Sequence, residues 1–139
     1  MRRYVFMAAV VLAAVLSISA AAAGCGSSGT SANGKTFTIK DTRINAKVGD
    51  QFVIQLESNA TTGFAWGISG TLNPSVVTKV RSTYIAGPNP KNMSGVGGTE
   101  KWTFKATGKG TGKIVMIYYR SFDKTAKPAQ TVTFTVNVQ

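Results

Sequence analysis

The sequence contains no histidine and only one cysteine among its 139 residues. Without histidine, the chain cannot build a Ser-His or Cys-His nucleophile pair, and it lacks the usual nitrogen ligand of zinc sites. Acidic residues are also scarce, with five against sixteen basic ones, and none lies close to another in sequence as a glycosidase carboxylate pair would suggest. We therefore expect a binding protein rather than an enzyme, with no metal and no cofactor.

Residues 1–24 have the layout of a secretory signal peptide. Arg2 and Arg3 form a cationic start, an uncharged apolar run covers residues 4–20, and small residues lead up to Gly24. The apolar run is nearly long enough for a transmembrane anchor, for which about 17 residues suffice. The small residues before a Gly-Cys pair favour the signal peptide over that alternative.

Cys25 is the only cysteine, so in a secreted protein it is a free thiol, an intermolecular partner or a modified sulfur. Residues 22–25 resemble the lipobox of bacterial lipoproteins, with Ala22 where leucine is commoner. The resemblance implies lipidation of Cys25, and several acyl chains make a stable membrane anchor. Residues 26–34 are rich in Gly and Ser and are predicted to be a flexible tether. We expect an exported, membrane-anchored lipoprotein of the bacterial cell envelope.

Residues 35–139 are predicted to form one domain of short strands, because no helical periodicity persists there for three turns. Residues 51–57 alternate strictly, with Phe52, Ile54 and Leu56 on one face. Similar strand signals occur at residues 35–40, 64–69, 76–85, 101–106, 113–119 and 131–138. Strands with one apolar face suit antiparallel sheets packed on each other. The fold class predicted is all-β, an immunoglobulin-like antiparallel β-sandwich of about seven to eight strands.

Strand parity predicts which loops lie together. If successive strands alternate in direction, the loops at 58–63, 87–98 and 121–127 leave the sandwich at the same end. The first loop has a small, uncharged tip, the second is long and Gly-rich, and the third begins with Arg120 near Phe122. Each composition is ordinary for turns when taken alone.

Three segments of these loops are more specific in combination. The segments are Asn59-Ala60-Thr61-Thr62-Gly63-Phe64, Gly95-Val96-Gly97-Gly98 and Arg120-Ser121-Phe122. Together they resemble the chagasin family of cysteine-protease inhibitors. They match, in order, the family's Asn-Pro-Thr-Thr-Gly-aromatic, Gly-x-Gly-Gly and Arg-Pro-aromatic loops. The resemblance covers nearly all of residues 35–139.

The resemblance implies a reversible inhibitor of papain-like cysteine proteases, whose active-site cleft the three loops would occlude. Thr61 and Thr62 would enter the cleft, and all the residues of the three segments would form the protease-binding surface. Ala60 and Ser121 stand where the family has proline, which predicts more conformational entropy to lose and weaker inhibition. The expected partner is a papain-like protease and not a nucleic acid, and we expect a monomer.

Two other functions remain open at this stage. The formal net charge of +11 suits an envelope-binding or scaffold module, with a basic surface for anionic wall polymer and no protease target. A substrate-binding component of an envelope complex is the second. Binding that falls steeply with salt and ignores the Thr61-Thr62 tip would distinguish the envelope module from an inhibitor.

Overall fold

The computed structural model describes residues 32–123 and 125–139, which form two four-stranded sheets packed face to face. The eight strands are β1 (Thr36–Phe37), β2 (Arg43–Ala46), β3 (Gln51–Ser58), β4 (Phe64–Ile68), β5 (Val77–Ala86), β6 (Gly98–Ala106), β7 (Gly110–Arg120) and β8 (Gln130–Val138). A single 3-10 turn at Ala60–Thr62 completes the assigned elements of these residues, among which no helix is long and apolar enough to cross a membrane. The predicted signal peptide, Cys25 and residues 26–31 lie outside the described residues.

The predicted β-sandwich is confirmed, with strand orders β1-β3-β6-β5 and β2-β8-β7-β4. All neighbouring strands are antiparallel except two pairs, β1 with β3 and β2 with β8. The β1–β3 pair is parallel because the chain crosses to the second sheet after β1 and returns after β2. Two reversals of direction therefore separate β1 from β3, which leaves the two strands pointing the same way.

The core lies between the sheets and is built by every second residue of the central strands. Phe52, Ile54 and Leu56 of β3 are at most 1% exposed, as their alternation predicts. Phe52 stacks on Phe104 of β6 with ring centroids 5.9 Å apart. Each fully buried side chain of this size contributes about 1.5–3 kcal/mol, so this interior supplies most of the stability of the sandwich.

Strand β2 is absent from the sequence prediction, and the strand expected at 35–40 is shortened to two residues. Only Ile44 and Ala46 of β2 are buried, which is too short an alternation to recognise. Asp41 ends β1, because its carboxylate accepts hydrogen bonds from the Thr38 N–H (3.0 Å) and hydroxyl (2.9 Å). Both hydrogen bonds lower the pKa of Asp41, and the bond from the Thr38 backbone N–H has the larger effect. The additional strand β2 does not affect the prediction that the three loops share one end. It precedes β3, β5 and β7, the strands that lead into the loops, so the directions of these strands relative to one another are unchanged.

The folded domain begins earlier than expected, because the last residues of the predicted tether are packed on it. Ala32 is 1% exposed, and its N–H donates to Oδ2 of Asp50 at 3.1 Å. The Lys47 N–H donates to the same oxygen at 2.8 Å, and the Gly34 N–H donates to the carbonyl of Gln51 at 2.7 Å. The Asp50 carboxylate thus ties the chain entry to the β2–β3 turn, and the domain includes Ala32.

Candidate functional site

Three loops meet at one end of the sandwich, which we call the loop end. They connect β3 to β4 (59–63, the central loop), β5 to β6 (87–97, the second loop) and β7 to β8 (121–129, the third loop). The Asn59 side-chain amide donates to the carbonyl of Gly95 at 3.0 Å, and the Ser121 N–H donates to the carbonyl of Gly63 at 3.3 Å. The central loop therefore contacts both others, and the shared end predicted from strand parity is confirmed.

The central loop is a 3-10 turn closed by its own polar groups. The backbone N–H and the hydroxyl of Thr62 both donate to the carbonyl of Asn59, at 3.1 and 2.7 Å. The Thr61 hydroxyl donates to the Asn59 side chain at 2.6 Å. Gly63 ends the turn with φ of 75°, the left-handed region that favours glycine, and the Phe122 ring occupies the space of its missing Cβ. The exposed, uncharged tip is therefore ordered before any partner binds.

A buried carboxylate beneath the central loop joins the strands on both sides of it. Glu100 on β6 is 9% exposed. Its Oε1 accepts hydrogen bonds from the Ser58 hydroxyl (2.7 Å) and the Trp66 backbone N–H (3.0 Å). Its Oε2 accepts one from the Trp102 indole N–H (3.1 Å). Three donors compensate the cost of burying the carboxylate, and they link β3 and β6 of one sheet to β4 of the other.

An aromatic column supports the central loop from the third-loop side. The Tyr118 hydroxyl accepts a hydrogen bond from the Asn59 N–H at 2.9 Å. The Tyr118 ring lies between Phe64 and Trp66, with ring centroids 5.1 Å away in both cases. The Arg120 guanidinium lies 5.0 Å from the Phe64 ring centroid. Phe64 is only partly exposed in this column, so its place in the structure is that of a support for the loops.

The second loop uses its glycines inside the molecule. A Cβ on Gly98 would meet the Ile85 carbonyl and the Tyr84 ring, and the Gly87 N–H donates to the Gly97 carbonyl at 3.0 Å. A Cβ on Gly87 would likewise meet the Gly97 carbonyl, so glycine at 87 and 98 permits the close approach of the chain on the two sides of the β5–β6 connection. Val96 beside them is partly buried.

The tip of the second loop projects a large apolar side chain that the sequence analysis missed. The Asn89 side chain accepts a hydrogen bond from the Met93 N–H (2.8 Å) and donates one to the Met93 carbonyl (2.9 Å). Met93 itself is 60% exposed. A shallow cavity of ≈ 330 Å³ lies between this tip and the central loop, lined in part by Ala60, Thr61 and Met93.

The third loop presents Phe122, which is 71% exposed. The Asp123 carboxylate orders this loop by accepting hydrogen bonds from the Thr125 hydroxyl (2.7 Å), the Thr125 N–H (3.0 Å) and the Ala126 N–H (3.2 Å). These bonds, the one from the hydroxyl first, lower the pKa of Asp123. The stabilisation by the ionised clamp is therefore fully present above the ordinary carboxyl pKa and is lost as the pH falls through the lowered pKa of Asp123. Ser121 lacks the rigidity of proline, and this clamp takes its place.

The structure thus brings together all three predicted segments and adds supports that a single segment does not show. Glu100 has one visible signal, since it falls on the apolar face of its strand with Trp102 and Phe104. Tyr118 has none, because it lies in a continuous apolar run. Among residues 32–123 and 125–139, no cluster of His, Cys, Asp or Glu could hold a metal ion.

Comparisons with known proteins point in one direction. The family model described as chagasin family peptidase inhibitor matches residues 45–138. Chagasin of Trypanosoma cruzi is 36% identical over 92 residues, covering 63% of this chain and 74% of that protein. Amoebiasin-1 of Entamoeba histolytica is 34% identical over 101 residues, covering 71% and 92%. The crystal structure of a cysteine protease inhibitor from Entamoeba histolytica matches with a TM-score of 0.65 at 26% identity, covering 76% of this chain and 95% of that one.

Replacing Glu100 by Gln should lower the free energy of unfolding by about 3 kcal/mol, because one amide oxygen cannot serve three donors. Urea unfolding followed by tryptophan fluorescence measures this value. The matched control is Glu57→Gln. Glu57 is an exposed carboxylate next to Ser58, at the end of β3 that leads into the central loop. We expect its replacement to change the free energy of unfolding by no more than about 0.5 kcal/mol. Equal effects of the two variants would contradict the role assigned to the buried carboxylate.

Proposed function

This chain belongs to the chagasin family of peptidase inhibitors, and from that premise we propose that it is a reversible inhibitor of papain-like cysteine proteases. The observation that carries the proposal is the loop end itself, where an ordered, uncharged tip lies between two exposed apolar side chains, Met93 and Phe122. The solved relative described above is a cysteine protease inhibitor of the same fold.

The central tip suits entry into a narrow active-site cleft. Ala60, Thr61 and Thr62 are exposed, small and uncharged, so they can be buried by a protease without desolvating a charge. Their turn is already closed by Asn59 and supported by Glu100. Less conformational freedom is then lost on binding, which favours affinity. Inhibition is steric occlusion of the protease's catalytic cysteine and histidine, with no covalent step.

The flanking loops grip the sides of the cleft. Phe122 and Met93 are large apolar side chains held outward by ordered backbone, the character of interface anchors. Arg120 is exposed above the Phe64 ring, where it can meet a carboxylate or an aromatic side chain of the protease. Gly95 supplies a positive φ of 87° in the second loop, and Gly97 and Gly98 lie where this loop joins β6.

Family membership also bears on the other expectations. The family consists of protease inhibitors, so the expectation that the chain is not an enzyme is confirmed. The envelope module without a protease target is not favoured.

The central test is a titration of the soluble chain of residues 26–139 into papain and cathepsin L with a fluorogenic substrate. We expect reversible inhibition by the unchanged chain. Phe122→Ala should raise the inhibition constant about 30-fold, the equivalent of ~2 kcal/mol for an aromatic anchor. Because Phe122 is exposed, the substitution spares the core. The matched control is Val48→Ala, which trims an apolar side chain that is 49% exposed and lies in the β2–β3 turn at the opposite end of the sandwich. Its inhibition constant should not change.

Two outcomes of this titration would count against the proposal. Absence of inhibition by the unchanged chain at micromolar concentration would contradict the function. Equal inhibition constants for the Phe122 and Val48 variants would contradict the anchor role of Phe122 and leave the function in place.

Ala60→Pro should tighten inhibition about two- to fivefold, the equivalent of ~0.4–1 kcal/mol, by restricting the free loop. The site accepts proline because Ala60 is the first residue of its turn and Asn59 before it has φ of −126° and ψ of 88°. Among the described residues, no acceptor for the Ala60 N–H is present. The contrasting variant is Ser121→Pro, which removes the N–H that donates to the Gly63 carbonyl. Its affinity for the protease should rise less than that of Ala60→Pro, or fall. Weaker inhibition by Ala60→Pro would refute this reasoning.

We also propose that the chain is exported and anchored through lipid on Cys25. The signal-peptide layout and the lipobox resemblance of residues 22–25 support this proposal. Ala32 lies at the end of the sandwich opposite the loop end, so a chain tethered at Cys25 would present its loops away from the membrane.

Cys25→Ser should abolish lipidation, because no other residue of the chain carries a thiol. Intact mass spectrometry of protein extracted from the membrane fraction of a bacterial host should show acyl chains on the unchanged protein and none on the variant. Ser27→Ala serves as the control and should remain acylated. Acyl chains on the Cys25 variant would rule out the lipobox assignment.

A further inference from the structure

The end of the sandwich opposite the loops, which we call the basal end, has a positively charged surface. It comprises the β2–β3, β4–β5 and β6–β7 turns and the chain entry at Ala32. Four lysines with exposed side chains lie on it: Lys35, Lys47, Lys105 and Lys109. The strand register places two of these lysines at the basal end of β3. Lys105 is paired with Gln51, the first residue of β3, and the Lys35 carbonyl accepts a hydrogen bond from the Val53 N–H.

Exposed acidic side chains are missing from the basal end as far as the structure describes it. Asp50 is the acid located there, but it is 9% exposed and its Oδ2 is bonded to the N–H groups of Ala32 and Lys47. The other acids lie higher along the sandwich, at residues 41, 57, 100 and 123. The Gln139 carbonyl accepts a hydrogen bond from the Val48 N–H at 3.3 Å, which places the C-terminal end of β8 at the basal end as well.

An apolar side chain completes the basal end. Val48 lies at the tip of the β2–β3 turn, directly after Lys47, and is 49% exposed. A protruding apolar residue beside lysines fits the boundary between lipid headgroups and acyl chains, where both parts are accommodated. A soluble polyanion offers no apolar phase for Val48, so this residue favours a membrane over a polymer.

We propose that the basal end binds the anionic headgroups of a phospholipid membrane and holds the sandwich upright on its surface. Each lysine near such a surface strengthens binding about fivefold, and the attraction decays within about 8 Å at physiological salt. Strand β3 spans eight residues, or about 27 Å, between the basal end and the central loop. The loops are therefore held beyond the range of the membrane field and face outward, open to a protease in solution. The proposal depends neither on lipidation of Cys25 nor on protease inhibition.

The test uses the soluble chain of residues 26–139, which contains all eight strands. The solved relative consists almost entirely of this domain, since 95% of its chain matches, and it has the same fold. Sedimentation measures its partition onto vesicles of phosphatidylcholine alone or mixed with phosphatidylglycerol. We expect binding to the anionic vesicles only, fading at high salt. Replacing Lys47, Lys105 and Lys109 together by Gln should lower the partition coefficient about 100-fold. The matched control replaces Lys40, Arg81 and Lys101 by Gln, an equal loss of charge away from the basal end and outside the three loops, and should change the partition coefficient by no more than about twofold.

Three outcomes would overturn the proposal. No binding to anionic vesicles at low salt would refute it directly. Equal losses in the two triple variants would show attraction by overall charge without a basal site. Binding to soluble polyphosphate that matches binding to vesicles at equal anionic charge, together with no effect of Val48→Ser, would reassign the surface to a polymer. Inhibition of papain, measured in parallel, should be the same for both triple variants, which separates this result from the function of the loops.

Discussion

The Glu100 carboxylate is the constraint on which the loop end depends. Its two oxygens accept hydrogen bonds from β3, β4 and β6, so one side chain joins both sheets directly below the central loop. The ends of β3 and β4 determine the span of the five-residue central loop, and the carboxylate holds those ends together. A charge buried with three donors tolerates little rearrangement, because any lost donor leaves part of it uncompensated. The loop is therefore rigid at the tip that, in the proposed function, enters the protease cleft.

Each of the three loops is then ordered by one polar side chain of its own. Asn59 closes the central turn, Asn89 holds the Met93 backbone, and Asp123 clamps the third loop. These bonds occupy the inward polar groups and leave Phe122, Met93 and the threonine tip facing outward. Side-chain hydrogen bonds thus order the loops at Ala60 and Ser121, where the family motif has proline. The loops keep more conformational freedom than they would with the proline rings.

The two ends of the sandwich differ in chemistry because the strands separate them. The exposed acids, together with Met93 and Phe122, are found towards the loop end, whereas the basal end has four exposed lysines and the chain entry, without an exposed acid among the described residues. A rigid β-sandwich keeps these surfaces apart at a constant distance. One surface can then contact a charged layer while the other remains free for a protein partner.

The sequence by itself determined the class of fold, the positions of most strands and the three segments that meet at the loop end. Alternation along β3 and β8 and turn residues between strands are local signals, and parity alone was enough to bring the loops to one end. Only the tertiary structure decided the short strand β2, the parallel edge pairs, the packing of Ala32 and the buried position of Glu100. Glu100 bonds to residues 34 and 42 positions away, so no local pattern reports its partners. Met93 likewise became an exposed anchor only through the fold of the loop that Asn89 closes. The physical reason is that periodicity records which face a residue takes, whereas burial and hydrogen bonding depend on what the opposite sheet places against it.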